Sequence, residues 1–411
     1  MSVVTAADVE KASGVLTVGQ RDVITPLAAD RAKELGIKIE RSSQPSPAKP
    51  PPVDLSSKPP RRGAAPVVLN APTSTLSGAL YRRGAGVPPA LQVDNLDAAA
   101  PADPRPAAGV IGAGHVGAMT ALRLAETSLF SRVTLVDIVP GLAAGLALDM
   151  GHSASLRGFT TRIEGSAELS ALAGADYIVV TAGRPRQPGM SRTDLTGVNG
   201  SIVTAVAQGI RLYAPDSVVV VVTNPLEEMT HLTARTTGFP PQRVIGMAGV
   251  LDSARFCSLV ALTGVARPQD VSAIALGSHG PEMVIPMSQA TVNGRPLEEA
   301  LPADQIDAIV ERARDSGAEV VKLLQKGSAY FAPAESAAAM VIDMVRESSR
   351  VQAACVQSSG AYGLEDTRVG LPVRLGRRGV REIVALALTA SERTALAKAA
   401  SSIAARVREM G

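Results

Sequence analysis

From about residue 107 onward the chain alternates short apolar runs with longer stretches in which apolar residues recur at helical spacing. The runs A-G-V-I-G at 108–112, V-T-L-V-D at 133–137, Y-I-V-V-T at 177–181, V-V-V-V-V-T at 218–223 and V-I-G-M at 244–247 carry almost no polar residues. Such runs predict strands covered on both faces, as in a parallel sheet flanked by helices. The stretches 117–125 and 202–210 predict two of those helices. The alternation as a whole predicts a doubly wound α/β fold with a parallel sheet.

The pattern is different before residue 107. Residues 1–41 predict a small module: Thr5 can cap a short helix, V-L-T-V at 15–18 and D-V-I at 22–24 suggest a hairpin, and Thr25-Pro26 begins a second helix that Gly36 closes. Residues 42–106 are dominated by Pro, Ala, Ser and Gly, including P-K-P-P-P at 48–52. This composition predicts a flexible spacer with a span on the order of 40–50 Å.

Composition removes several classes of function. At 411 residues and 46% hydrophobic content the chain can bury a large core, yet no run approaches the roughly 20 apolar residues needed to span a bilayer. With no signal-type N-terminus, a cytoplasmic protein without membrane partners is expected. A net charge of +3 and 2% aromatic residues argue against nucleic-acid binding. Cys257 and Cys355 are too isolated to bind metal and read as small buried hydrophobes, so no metal site is expected.

Three groups of residues carry chemistry. G-A-G-H-V-G follows the first strand and opens a helix, so Gly112, Gly114 and Gly117 can bring backbone N–H groups onto a pyrophosphate. Asp137 ends the second strand, where a carboxylate can bond both ribose hydroxyls and repel a 2′-phosphate; NAD is therefore expected over NADP. The loop R-Q-P-G-M-S-R places Arg186 and Arg192 on a Gly/Pro-containing segment that suits a substrate bearing carboxylates. On their own, two loop arginines more often read as solvated charge. Among the four histidines, His115, His152 and His231 have ordinary surroundings, whereas His279 sits between glycines in G-S-H-G at the end of the run V-S-A-I-A-L. Asp252 and Arg255, three apart on one helical face, offer it an orienting carboxylate and a carboxylate receptor.

With these residues in place, the region from about Ala107 to the end resembles the lactate/malate dehydrogenase family, and within it the lactate-dehydrogenase-like malate dehydrogenases. The likeness rests on G-A-G-H-V-G, L-V-D-I, T-A-G-R-P-R-Q-P-G-M-S-R, V-T-N-P-L, V-I-G-M-A-G-V-L-D-S-A-R-F, G-S-H-G and G-S-A-Y-F-A-P-A, in order and spacing. The resemblance implies a Rossmann NAD domain at 107–250 followed by an α+β catalytic domain at 251–411. It implies that His279 exchanges the substrate hydroxyl proton, that Asp252 orients it and that Arg255 grips one carboxylate. It further implies that Arg192 polarises the carbonyl, Asn224 bonds substrate beside the nicotinamide, and Asn199 and Val222 contact the cofactor. Arg186 would choose the substrate, because lactate dehydrogenases carry a neutral Gln there and a guanidinium pairs with the second carboxylate of malate or oxaloacetate. A homotetramer or homodimer is implied as well.

Some features depart from the family or lie outside it. Pro281 and Glu282 follow His279-Gly280 where the family usually has an Asp, and Pro281 removes a backbone donor behind the histidine. Gln187 could take the selector's place if the loop register slipped by one. The stretch T-V-G-Q-R-D-V-I-T-P-L-A-A-D-R-A-K-E-L-G-I is similar to short segments of enzymes associated with bacterial microcompartments. It implies a docking segment for a shell protein; an oligomerisation arm is the alternative. A lactate or other 2-hydroxy acid dehydrogenase, and an interaction protein with weakened turnover, remain open alternatives.

Overall fold

The computed structural model describes residues 3–4, 6–10, 12–19, 22–24, 26–41, 103–185, 192–325 and 327–410. The chain forms two compact units, 1–88 and 89–411.

In the first unit, helices Ala6–Glu10 and Pro26–Glu34 pack around Val9, Ala28 and Ala32, with Leu16, Ile24, Ile37 and Ile39 against them. Pro26 opens its helix, and Gly36 follows it at φ 66°, where a residue without Cβ is unstrained. Thr5 and Thr25, the expected caps, lie outside the described residues. The expected hairpin is absent from the described residues. Val15–Val18 instead pairs in parallel with Lys38–Arg41, and Val23–Ile24 pairs in parallel with Val3–Val4. Between the two predicted strands Asp22 accepts from the Gly19 N–H at 2.9 Å, and the strands on either side belong to different pairs.

The second unit is built on a sheet that, among the described residues, has eleven strands. Six are parallel, in the spatial order Arg162–Ser166, Arg132–Val136, Ala107–Ile111, Tyr177–Val180, Val218–Val221 and Val244–Gly246. Successive residues along these strands feed opposite cores. Val110, Leu135, Val179 and Val220 pack on one face, while Ile111, Val136, Ile178, Val180, Val219 and Val221 pack on the other. Order reverses between Ala107–Ile111 and Tyr177–Val180, and such a reversal opens a crevice at the strands' C-terminal ends.

The sheet continues in antiparallel fashion through Val351–Gln357, Arg368–Gly376 and the short strands Leu276–Gly277 and Met283–Val284. The run expected as one strand before His279 is two: Val271–Ser272 belongs to a separate three-stranded sheet, and Leu276–Gly277 to the large one. Between them the Ala275 N–H is taken by Ser253 Oγ at 2.9 Å instead of a ladder partner.

Candidate active site

The glycine turn is shaped by close approach. Gly112 sits at φ 101°, and a Cβ there would lie 2.7 Å from the Ala182 nitrogen; a Cβ on Gly117 would lie 1.8 Å from the Gly112 carbonyl oxygen. At Gly114 a Cβ would meet nothing within 4 Å, which leaves open space over the turn. The helix His115–Glu126 begins there with no side-chain cap, so its first N–H groups are not spent on one. Asp137 accepts from the Ala113 N–H at 2.7 Å through Oδ2 and from the Val139 N–H at 2.9 Å through Oδ1. Each oxygen keeps a lone pair for a ribose hydroxyl. A narrow, side-chain-free cradle beside a half-buried carboxylate fits a dinucleotide. Gly117→Ala should cost about 1–3 kcal/mol of stability by overpacking, read by thermal melting, and should weaken NADH binding in a fluorescence titration.

Asn199, on the helix Arg192–Tyr213, is only 1% exposed. Its carboxamide accepts from the Arg184 N–H at 2.8 Å and donates to the carbonyls of Arg184 (3.1 Å) and Asn224 (2.6 Å). Both amide protons are thus used on backbone, and Asn199 ties the Arg184 and Asn224 loops together. Val222 and the exposed Asn224 follow the strand Val218–Val221 at the C-terminal edge of the sheet. Arg192 is the first residue of its helix and not a loop residue; its side chain, and Arg186 altogether, lie outside the described residues.

The proton-handling groups come together from three elements. Asp252 stands in the first turn of the helix Gly249–Ala261, where the helix dipole favours a carboxylate, and is 4% exposed. His279 Nδ1 lies 2.8 Å from Asp252 Oδ2, and Arg255 Nη1 donates to Asp252 Oδ1 at 3.2 Å. Burial alone would depress the imidazole pKa, but the Asp252 carboxylate, with Glu227 behind it, outweighs burial and the repulsion of Arg255; the net shift is upward. Pro281 leaves this contact intact.

Sequence reasoning missed Glu227. This residue stands in the first turn of the helix Leu226–Thr237, is 1% exposed, and accepts the His279 backbone N–H through Oε1. Burial pushes its carboxyl pKa up, against the pull of His279. Its only signal was the pair of acids in N-P-L-E-E-M, a segment that directly follows the run 218–223.

The lactate/malate dehydrogenase NAD-binding domain model matches residues 108–246, and the family's α/β C-terminal domain model matches residues 249–410. The chain belongs to the lactate/malate dehydrogenase family. Membership makes it an NAD-dependent oxidoreductase. Malate dehydrogenases similar to it include that of Thermomicrobium roseum, 48% identical over 73% of this chain and 97% of that protein. The Synechocystis sp. protein is 46% identical over 72% of this chain and 90% of its own length. Among solved structures, Cryptosporidium parvum malate dehydrogenase superposes with a TM-score of 0.72 at 36% identity, covering 74% of this chain and 98% of that one. A lactate dehydrogenase from the same organism, complexed with lactic acid and nicotinamide adenine dinucleotide, gives 0.71 at 34% identity over 74% and 97%. Within this family the fold alone does not separate the two substrates.

Proposed function

We propose that the protein oxidises malate to oxaloacetate with NAD and runs the reverse, with His279 as proton acceptor and donor. The observation that carries this reading is the Asp252 carboxylate, which bonds His279 at 2.8 Å and Arg255 at 3.2 Å. Because Nδ1 is committed to Asp252, Nε2 is the nitrogen that takes the hydroxyl proton, and Asp252 stabilises the imidazolium that results. The Gly112–Gly117 turn and Asp137 would hold NAD, which would supply the hydride acceptor for the alcohol carbon. Arg255 holds the adjacent carboxylate with its remaining N–H donors. Asn224 bonds the substrate oxygen, and Asn199 keeps Asn224 in place. Arg192 polarises the carbonyl, Arg186 takes the second carboxylate, and closure of the 186–192 segment excludes water from the transfer. Oxidation of NADH by the purified full chain, with oxaloacetate and with pyruvate, tests the reading. Turnover with oxaloacetate and little with pyruvate is expected; the opposite order would assign a lactate dehydrogenase.

The enzyme works in the cytoplasm as a homodimer or homotetramer, and the unit at its N-terminus docks it to a bacterial microcompartment shell protein. Two facts support the docking reading: the first unit has a core of its own, and the family match begins only at residue 108. Deleting residues 1–105 should leave turnover and oligomer size unchanged while abolishing co-purification with shell protein. A change in oligomer size on deletion would instead assign an oligomerisation arm.

A further inference from the structure

We propose that Arg406, in the last turn of the C-terminal helix, is a positioning residue for His279. This inference rests on the dehydrogenase reading above. The helix, Ala390–Arg408, is fixed at its start by a capping box between Thr389 and Glu392, and Glu392 also bonds the Ser288 N–H at 3.1 Å and Ser288 Oγ at 2.7 Å. Midway it lies directly on the strand before the histidine. Gly277 lies at φ 80°, and a Cβ there would come within 3.1 Å of the Ala399 Cβ and 2.9 Å of the Glu282 carbonyl oxygen, so helix and strand approach closely at a glycine.

At its far end the Arg406 guanidinium gathers three partners. Nε bonds Glu228 Oε1 at 3.0 Å, Nη2 bonds Ser278 Oγ at 3.4 Å, and Nη1 lies 3.8 Å from Glu282 Oε2. Ser278 immediately precedes His279, and Glu282 closes the same turn. Glu228 adjoins Glu227, which accepts the His279 backbone N–H. One planar fork therefore spans the turn on both sides and grips the helix that holds its backbone. Pro281 gives that turn one backbone donor fewer, so fixing its geometry falls more heavily on side chains. Lysine, a single point charge, could keep the pair with buried Glu228 but could not span all three groups.

The consequence is a specific loss. Misplacing a reacting group by about 1 Å costs about 10²-fold in rate, and slackening of the turn should approach that without touching bound substrate. Arg406→Lys is expected to lower kcat about tenfold while KM for oxaloacetate, the Kd of NADH and the melting temperature stay near wild type. Wild-type kcat in this variant would show that Arg406 is only a charge partner for Glu228 and overturn the proposal. Parallel loss of kcat, KM, NADH affinity and stability would also overturn it, by showing general disruption. If the Lys variant does not fold, Glu282→Gln gives the second reading, because it leaves the Glu228–Arg406 pair intact. A severalfold fall in kcat alone supports the proposal, and no change overturns it. Wild-type protein without turnover on oxaloacetate would instead refute the functional reading.

Discussion

His279→Asn is expected to lower turnover by about 10²–10⁴-fold in both directions, the range that a positioned proton-transfer group contributes. NADH affinity should remain near wild type, because the cofactor cradle is built from the Gly112–Gly117 turn and Asp137, after strands far in the sheet order from Leu276–Gly277, the strand that precedes His279. Steady-state rates and a fluorescence titration separate the two effects. Asp252→Asn supplies the mechanistic control. Malate oxidation needs neutral imidazole and therefore rises with pH through the His279 pKa; oxaloacetate reduction needs imidazolium and falls through the same range. The groups facing the ring are Asp252 and Arg255 from one helix and Glu227 from another, and the two carboxylates hold its pKa up. Removing the Asp252 charge lowers that pKa, so both limbs of the pH–rate profiles should move to lower pH. Limbs that stay in place would mean that a different group titrates.

How much of this was legible depends on what each residue faces. The strands at 107–111, 132–136, 177–180, 218–221 and 244–246 were readable to within one or two residues, because burial on both faces leaves continuous apolar runs. Arg162–Ser166 left no such run, since it is an edge strand whose residues are half-buried or exposed. In the first unit Val15–Val18 and Val23–Ile24 were legible as strands, but their partners Lys38–Arg41 and Val3–Val4 were not, because local propensity does not encode which segment lies alongside. The His279–Asp252–Arg255 group was recoverable from glycine context and helical spacing. The link that Asn199 makes between the Arg184 and Asn224 backbones left no local signal, because only the fold brings those loops together. Arg406 left no local trace, because its contact with Ser278 spans 128 residues.

The second large effect is one of selectivity. Arg186→Gln is expected to lower kcat/KM for oxaloacetate by roughly 10- to 100-fold, since a charge-assisted bond to a carboxylate contributes about 1.5–3 kcal/mol. Pyruvate lacks the second carboxylate, so its kcat/KM should hold or rise and the preference should collapse. Although Arg186 lies outside the described residues, the chain leading to it is anchored: both the N–H and the carbonyl of Arg184 are held by Asn199. Beyond the segment the chain resumes as a helix at Arg192. These anchors on either side limit where a side chain from the intervening residues can be presented, which specificity of this size requires. Parallel kcat/KM measurements on oxaloacetate and pyruvate decide the point. A preference that survives in Arg186→Gln would shift the selector to the neighbouring position, and Gln187→Ala would then be the variant in which discrimination falls.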